Sequence, residues 1–121
     1  MFMDELTKIN LLYDFYGDFL TEKQREIFEL HFLNDLSLGE IAENYGVTRQ
    51  GVYDIVKRAQ DILTEYEEKL GMVRRFAGLE KKVEKILQSL KELEPGLSED
   101  YRIRIRKICD DVASLLKEGG E

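Results

Sequence analysis

The sequence predicts an all-α protein, with a helix-turn-helix domain over residues 1–71 and an antiparallel helical hairpin over residues 72–121. Three observations predict it. Apolar residues recur at intervals of three and four almost throughout, one Pro stands in 121 residues, and helix-start signals follow one another closely between residues 21 and 48.

In chain order, Leu6, Ile9, Leu12, Tyr13 and Tyr16 share one face of a first helix that should stop near Gly17. Thr21-Glu22-Lys23-Gln24 fits a capping box, in which the Thr hydroxyl and the Gln side chain satisfy amides that a helix start leaves bare. Ile27, Phe28, Leu30 and Phe32 then form its apolar face. Ser37-Leu38-Gly39-Glu40 repeats the device, opening a short helix with Leu38, Ile41 and Ala42 inward and Gly46 at its end. After this very short break Thr48 can cap a longer helix that buries Val52, Ile55, Val56, Ala59, Ile62 and Leu63 and ends before Gly71.

The period changes in the second half. Phe76, Leu79, Val83, Ile86, Leu90 and Leu93 are spaced as a coiled-coil seam, closed by Glu94-Pro95-Gly96. Ser98 caps a last helix in which Tyr101, Ile105, Ile108, Val112 and Leu115 repeat at four and three. Tyr101 to Arg106 also alternates with period two, as a strand does, but no second strand signal accompanies it. Two helices cannot enclose both seams, so the remaining apolar surface must cover the N-terminal part or meet a second copy; Phe76, Leu79, Val83, Ile86 and Leu90 are the expected interface of a homodimer.

Hydrophobic residues make up 43% and charged residues 36% of the chain, too apolar for disorder and too interrupted by charge for a membrane span. Met1 to Glu5 shows no basic stretch before an apolar run, and lone Cys109 has no partner for an internal disulfide, so the cytoplasm is the expected compartment. Residues 1–73 hold seven Lys and Arg against fifteen Asp and Glu, whereas residues 74–121 hold eleven against ten. An acidic first half excludes strong non-specific adhesion to DNA, because neutralising phosphates requires cations. Any nucleic-acid contact is therefore local.

The segment from Ser37 to Gln60 carries that contact: a short capped helix, a bend at Gly46-Val47 and a longer helix from Thr48. Ala42 lets two helices cross closely, while Val47 and Val52 are expected to plug the joint. The second helix would then offer Arg49, Gln50, Tyr53 and Asp54 to a major groove, with Lys57 and Arg58 one turn further on. Arg pairs with guanine and Gln with adenine, and the hydroxyls of Thr48 and Tyr53 suit phosphate oxygens. A second basic set, Arg74, Arg75, Lys81, Lys82, Lys85, Arg102, Arg104, Arg106 and Lys107, reads mainly as solvated helix faces, since Glu80, Glu84, Asp110 and Asp111 are interspersed.

Leu20 to Phe28, Leu36 to Ala42 and Val47 to Val52 resemble the promoter-contacting region 4 of bacterial sigma factors. With Leu11 to Gly17, Val52 to Arg58 and Tyr66 to Leu70 added, nearly the whole chain resembles the YlxM-type helix-turn-helix family. That resemblance implies a small cytosolic bacterial protein with a regulatory or accessory role in the signal recognition particle pathway, with DNA or RNA and components of the particle as partners. The sigma pattern commonly has Arg and Gln where Tyr53 and Asp54 stand, and an Asp in the groove repels phosphate. The rival reading is an adaptor of the same pathway that binds protein rather than DNA.

Chemistry finds little footing. His31 stands alone beside Leu30 and Phe32, Cys109 lies next to a seam residue, and the aromatics from Tyr13 to Phe32 fall at core intervals. No Gly-rich phosphate loop or Cys/His grouping occurs, so no enzyme, metal or cofactor is expected.

Overall fold

A computed structural model of the chain describes residues 4–119, so the reading of Met1 to Met3 as no leader lies outside the described residues. Six α-helices follow in order: α1 Glu5–Tyr16, α2 Glu22–Phe32, α3 Leu38–Tyr45, α4 Arg49–Leu70, α5 Met72–Leu93 and α6 Glu99–Gly119. Single 3-10 turns, Gly17–Phe19 and Glu94–Gly96, lie between α1 and α2 and between α5 and α6. Among the described residues there is no strand, so Tyr101 to Arg106 is helical. The α-helical hydrogen bonds satisfy the backbone within one chain segment, which a lone strand could not do.

The chain divides into two units, Met1–Val73 and Arg74–Glu121. In the first, the helix starts form as their caps dictate. Asp4 accepts the Thr7 amide at 2.7 Å, and both capping boxes close reciprocally, Thr21 with Gln24 and Ser37 with Glu40. Two buried clusters result. Ile9, Leu12, Tyr16, Leu20, Phe28, Ala59, Leu63 and Val73 form one; Ile27, Ile41, Ala42, Val52 and Val56 form the other. Helix α4 contributes to both, so its buried flank is held along most of its length. Each fully buried aliphatic contributes about 1.5–3 kcal/mol of hydrophobic stabilisation.

Aromatic stacking and hydrogen bonds reinforce the first of these clusters. The Tyr13 ring stacks on Phe28 with centroids 4.8 Å apart, and its hydroxyl donates to Glu29 at 2.6 Å. Burial, followed by that carboxylate, pushes the Tyr13 hydroxyl well above the usual phenol range. Tyr16 donates to Glu67 Oε1 at 2.7 Å and accepts the Met72 amide at 3.0 Å, while the same Glu67 oxygen accepts the Val73 amide at 3.0 Å. Gly71 makes this corner possible, since at φ 64° it adopts the left-handed conformation that a Cβ disfavours.

Two expectations fail in this unit. Leu6 is 54% exposed because α1 turns Ile9, Leu12 and Tyr16 inward and leaves its first turn outside. Val47 is 41% exposed: it follows the bend and points outward, and the joint is filled by Ile27, Ile41, Ala42, Val52 and Val56 instead.

In the second unit, Arg102 Nε donates to the Glu94 carbonyl at 3.2 Å and Arg106 pairs with the Glu94 carboxylate at 3.0 Å. Glu94 and Arg106 would be about 18 Å apart along one continuous helix, beyond an arginine's reach, so α6 turns back after α5. The expected seams are only half right. Val83 is 1% exposed, with Phe76, Leu87, Leu90, Ile105, Cys109, Val112 and Leu116 half-buried. Leu79, Ile86, Leu93, Tyr101, Ile108 and Leu115 remain exposed, between 37% and 57%. Each helix is thus rotated by one residue from the expected seam, which turns Leu87, Cys109 and Leu116 inward in place of Ile86, Ile108 and Leu115. Val83, expected at a dimer interface, is covered within the chain and open to no partner.

Candidate nucleic-acid interface

The proposed contact begins with the bend. Gly46 sits at φ 65° and ψ 34°, where an L side chain is strained, and the Val47 amide donates back to the Ala42 carbonyl at 3.1 Å, closing α3. Two residues later Thr48 is extended, and its hydroxyl accepts the Gly51 amide at 2.9 Å to start α4. Three residues therefore separate the two helices, and Ile41 and Val52, both fully buried, pack in the joint. The preceding turn is held by His31, whose Nδ1 donates to the Leu36 carbonyl at 2.9 Å while its ring stands edge-on to Phe32. That makes His31 a structural residue. Tyr45 adds a tie from α3 to α2 by donating to Glu26 at 3.2 Å.

With Val52, Val56, Ala59 and Leu63 inward, the opposite flank of α4 is exposed. It carries two adjacent rows at helical spacing, Arg49, Tyr53 and Lys57, and Gln50, Asp54 and Arg58. All six predicted side chains on this flank are exposed, and Thr48 is exposed at its head. Leu38, Arg49, Gln50 and Tyr53 line an open depression of about 400 Å³ at this end of the helix.

Two features of this flank were not anticipated. Gln50 Nε2 donates to Asp54 Oδ1 at 3.0 Å, and Lys57 pairs with Asp61 at 2.9 Å, each one helical turn apart. The second bond holds the Lys57 ammonium above the usual lysine range. The signal was in the sequence: an acceptor carboxylate four residues after a donor, on the same row. Asp61 belongs to the surface for this reason. Thr48's hydroxyl is committed to its own helix start, which leaves its oxygen a weaker candidate for phosphate. Arg49 and Arg58 form no ion pair among the described residues, so they are its available cations.

No group of three or more His, Cys, Asp or Glu side chains that could hold a metal occurs among the described residues, and none of their helices is long and apolar enough to cross a membrane. Cys109 is half-buried and free.

Capped helix, left-handed bend and second helix on a shared apolar joint define a helix-turn-helix protein. The model of the family UPF0122, "Putative helix-turn-helix protein, YlxM / p13 like", matches residues 3–103, and this chain belongs to that family. A UPF0122 protein of Caldanaerobacter subterraneus is 56% identical over 72% of this chain and 74% of its own. One from Thermoanaerobacter sp. strain X514 is 44% identical over 95% and 96%, and one from Desulforamulus reducens 52% identical over 78% and 80%.

Proposed function

We propose that this chain is a cytosolic regulatory or accessory protein that binds nucleic acid through the outer flank of α4. The observation that carries the reading is the division of that helix: aliphatics at Val52, Val56, Ala59 and Leu63 hold one side, and Arg49, Gln50, Tyr53 and Arg58 stand exposed on the other. Membership of a helix-turn-helix family supports it. The resemblance to YlxM-type proteins is what supports a role in the signal recognition particle pathway. Base reading falls to Arg49 and Gln50, while Tyr53, Lys57 and Arg58 meet the backbone.

The test is fluorescence anisotropy on DNA duplexes and RNA hairpins selected by the protein from its own genome. Binding should weaken with salt, and Arg49→Ala and Gln50→Ala should each reduce affinity roughly tenfold, the range for a base contact. Absence of any binding above random sequence at physiological salt overturns it.

A second reading has its own observation. Fifteen Asp and Glu against seven Lys and Arg in residues 1–73, with Asp54 and Asp61 on the very flank in question, suit a basic protein partner. An adaptor of this kind binds a component of the particle saturably, and Arg49→Ala leaves that binding intact.

A further inference from the structure

Of the seven large apolar residues exposed in the described part of the second unit, Ile103 stands apart and the other six are not scattered. Leu79, Ile86 and Leu93 occupy every seventh position of α5, and Tyr101, Ile108 and Leu115 do so in α6. Five of the six are left open where the helix turns the next position inward; Leu79, followed by exposed Glu80, continues the row. In two helices that run in opposite directions, the same one-residue rotation brings both open rows to one side of the pair, giving one apolar face. A 22-residue helix is about 33 Å long, and two side by side are about 20 Å wide, so the face projects roughly 650 Å². A standard protein interface takes about 800 Å² from each partner.

We infer that this face docks a second copy of the chain, with α5 of one copy lying against α6 of the other and the two Glu94–Gly96 turns at the same end. Charge selects that arrangement. Arg75 and Lys82 border the open row of α5, Arg104 and Asp111 border that of α6, and all four are exposed, with Arg104 lying over the Tyr101 ring at 5.8 Å. Lys82 and Asp111 stand at nearly equal heights either side of the turn, so a two-fold axis along the helices sets Lys82 of each copy against Asp111 of the other. The opposite two-fold, with turns at opposite ends, lays the basic edge of α5 along itself and is disfavoured. The interface differs from the seam expected from sequence: Val83 lies beneath it, and α6 supplies half of its apolar residues. It is independent of what α4 binds.

Sedimentation of the full chain at about 50 μM tests this. The expected mass is roughly 28 kDa, twice the 14.2 kDa of one chain. Ile86→Glu combined with Ile108→Glu should give a monomer whose circular dichroism keeps its helix content. Should that variant lose helix, Lys82→Glu, which touches no apolar contact, replaces it. Lys82→Glu weakens the dimer about fivefold, and adding Asp111→Lys restores it. A 14.2 kDa species for the unaltered chain, a dimer indifferent to Lys82→Glu, or a double variant no tighter than Lys82→Glu alone overturns the inference.

Discussion

The two units are both helical, yet they differ in what they enclose. Of the fourteen buried hydrophobic residues described, thirteen lie in Met1–Val73 and one, Val83, in Arg74–Glu121. The cause is geometry. Four helices and the start of a fifth surround a centre, whereas two can cover only the strip between them. In the first unit the exposed large residues, such as Leu33 and Leu70, are separate; in the second, six fall on two rows of one spacing. Isolated exposure is normal on any surface, and repetition at every seventh position is a sign of use.

Substitutions test this contrast, most strongly at the core. Phe28→Ala removes a ring stacked on Tyr13 and tilted against Phe32 and should cost about 3–5 kcal/mol in urea unfolding. Ile86→Ala, on the open face, should change the stability of the isolated monomer by less than about 1 kcal/mol. Similar losses at both sites would erase the distinction. Next comes Tyr16→Phe, which leaves the Met72 amide without its acceptor and should cost about 1–3 kcal/mol, read as a lowered thermal midpoint. Gly46→Ala should cost about 1 kcal/mol by straining the left-handed bend, and Ser37→Ala a similar amount by opening its capping box.

Smaller effects sharpen the electrostatic side. Asp54→Asn removes an acid from the reading flank and should steepen the salt dependence of nucleic-acid binding by about one charge. Hydrogen bonding from the Ser37 amide, then its side chain, holds the Glu40 carboxyl below its ordinary value of 4.5. A group lowered on folding stabilises above its unfolded value and loses that contribution as pH falls through the folded one. The thermal midpoint should therefore decline below about pH 4.5, and Glu40→Gln should make that decline shallower.

Much of the first unit was legible because its signals are local. A Thr or Ser three residues before a Gln or Glu predicts a cap whatever surrounds it, and Thr21, Ser37, Gly46, Thr48 and Gly71 all act as their positions imply. The flank of α4 followed from its period alone. What escaped depends on distant neighbours. Glu67 reads as one more exposed helix charge until Tyr16, fifty-one residues earlier, is brought to it. The left-handed Asp35, at φ 58°, carries no Gly to announce it. In α5 and α6, period could not decide between Ile86 and Leu87 or between Ile108 and Cys109, since both choices give a heptad row and only packing selects the rotation.

Helix α4 has one further consequence. It is an unbroken rod of twenty-two residues, anchored at Glu67 by the Tyr16 hydroxyl and presenting Arg49 at its far tip. Over the roughly 27 Å from Glu67 to Arg49, a pivot of about 3° at the anchored end would swing the tip by roughly 1.4 Å, enough to part a side chain from a base edge. Burial of Val52, Val56, Ala59 and Leu63 along the same rod resists that pivot, so the aim of Arg49 is set by the whole seated flank rather than by its own tip.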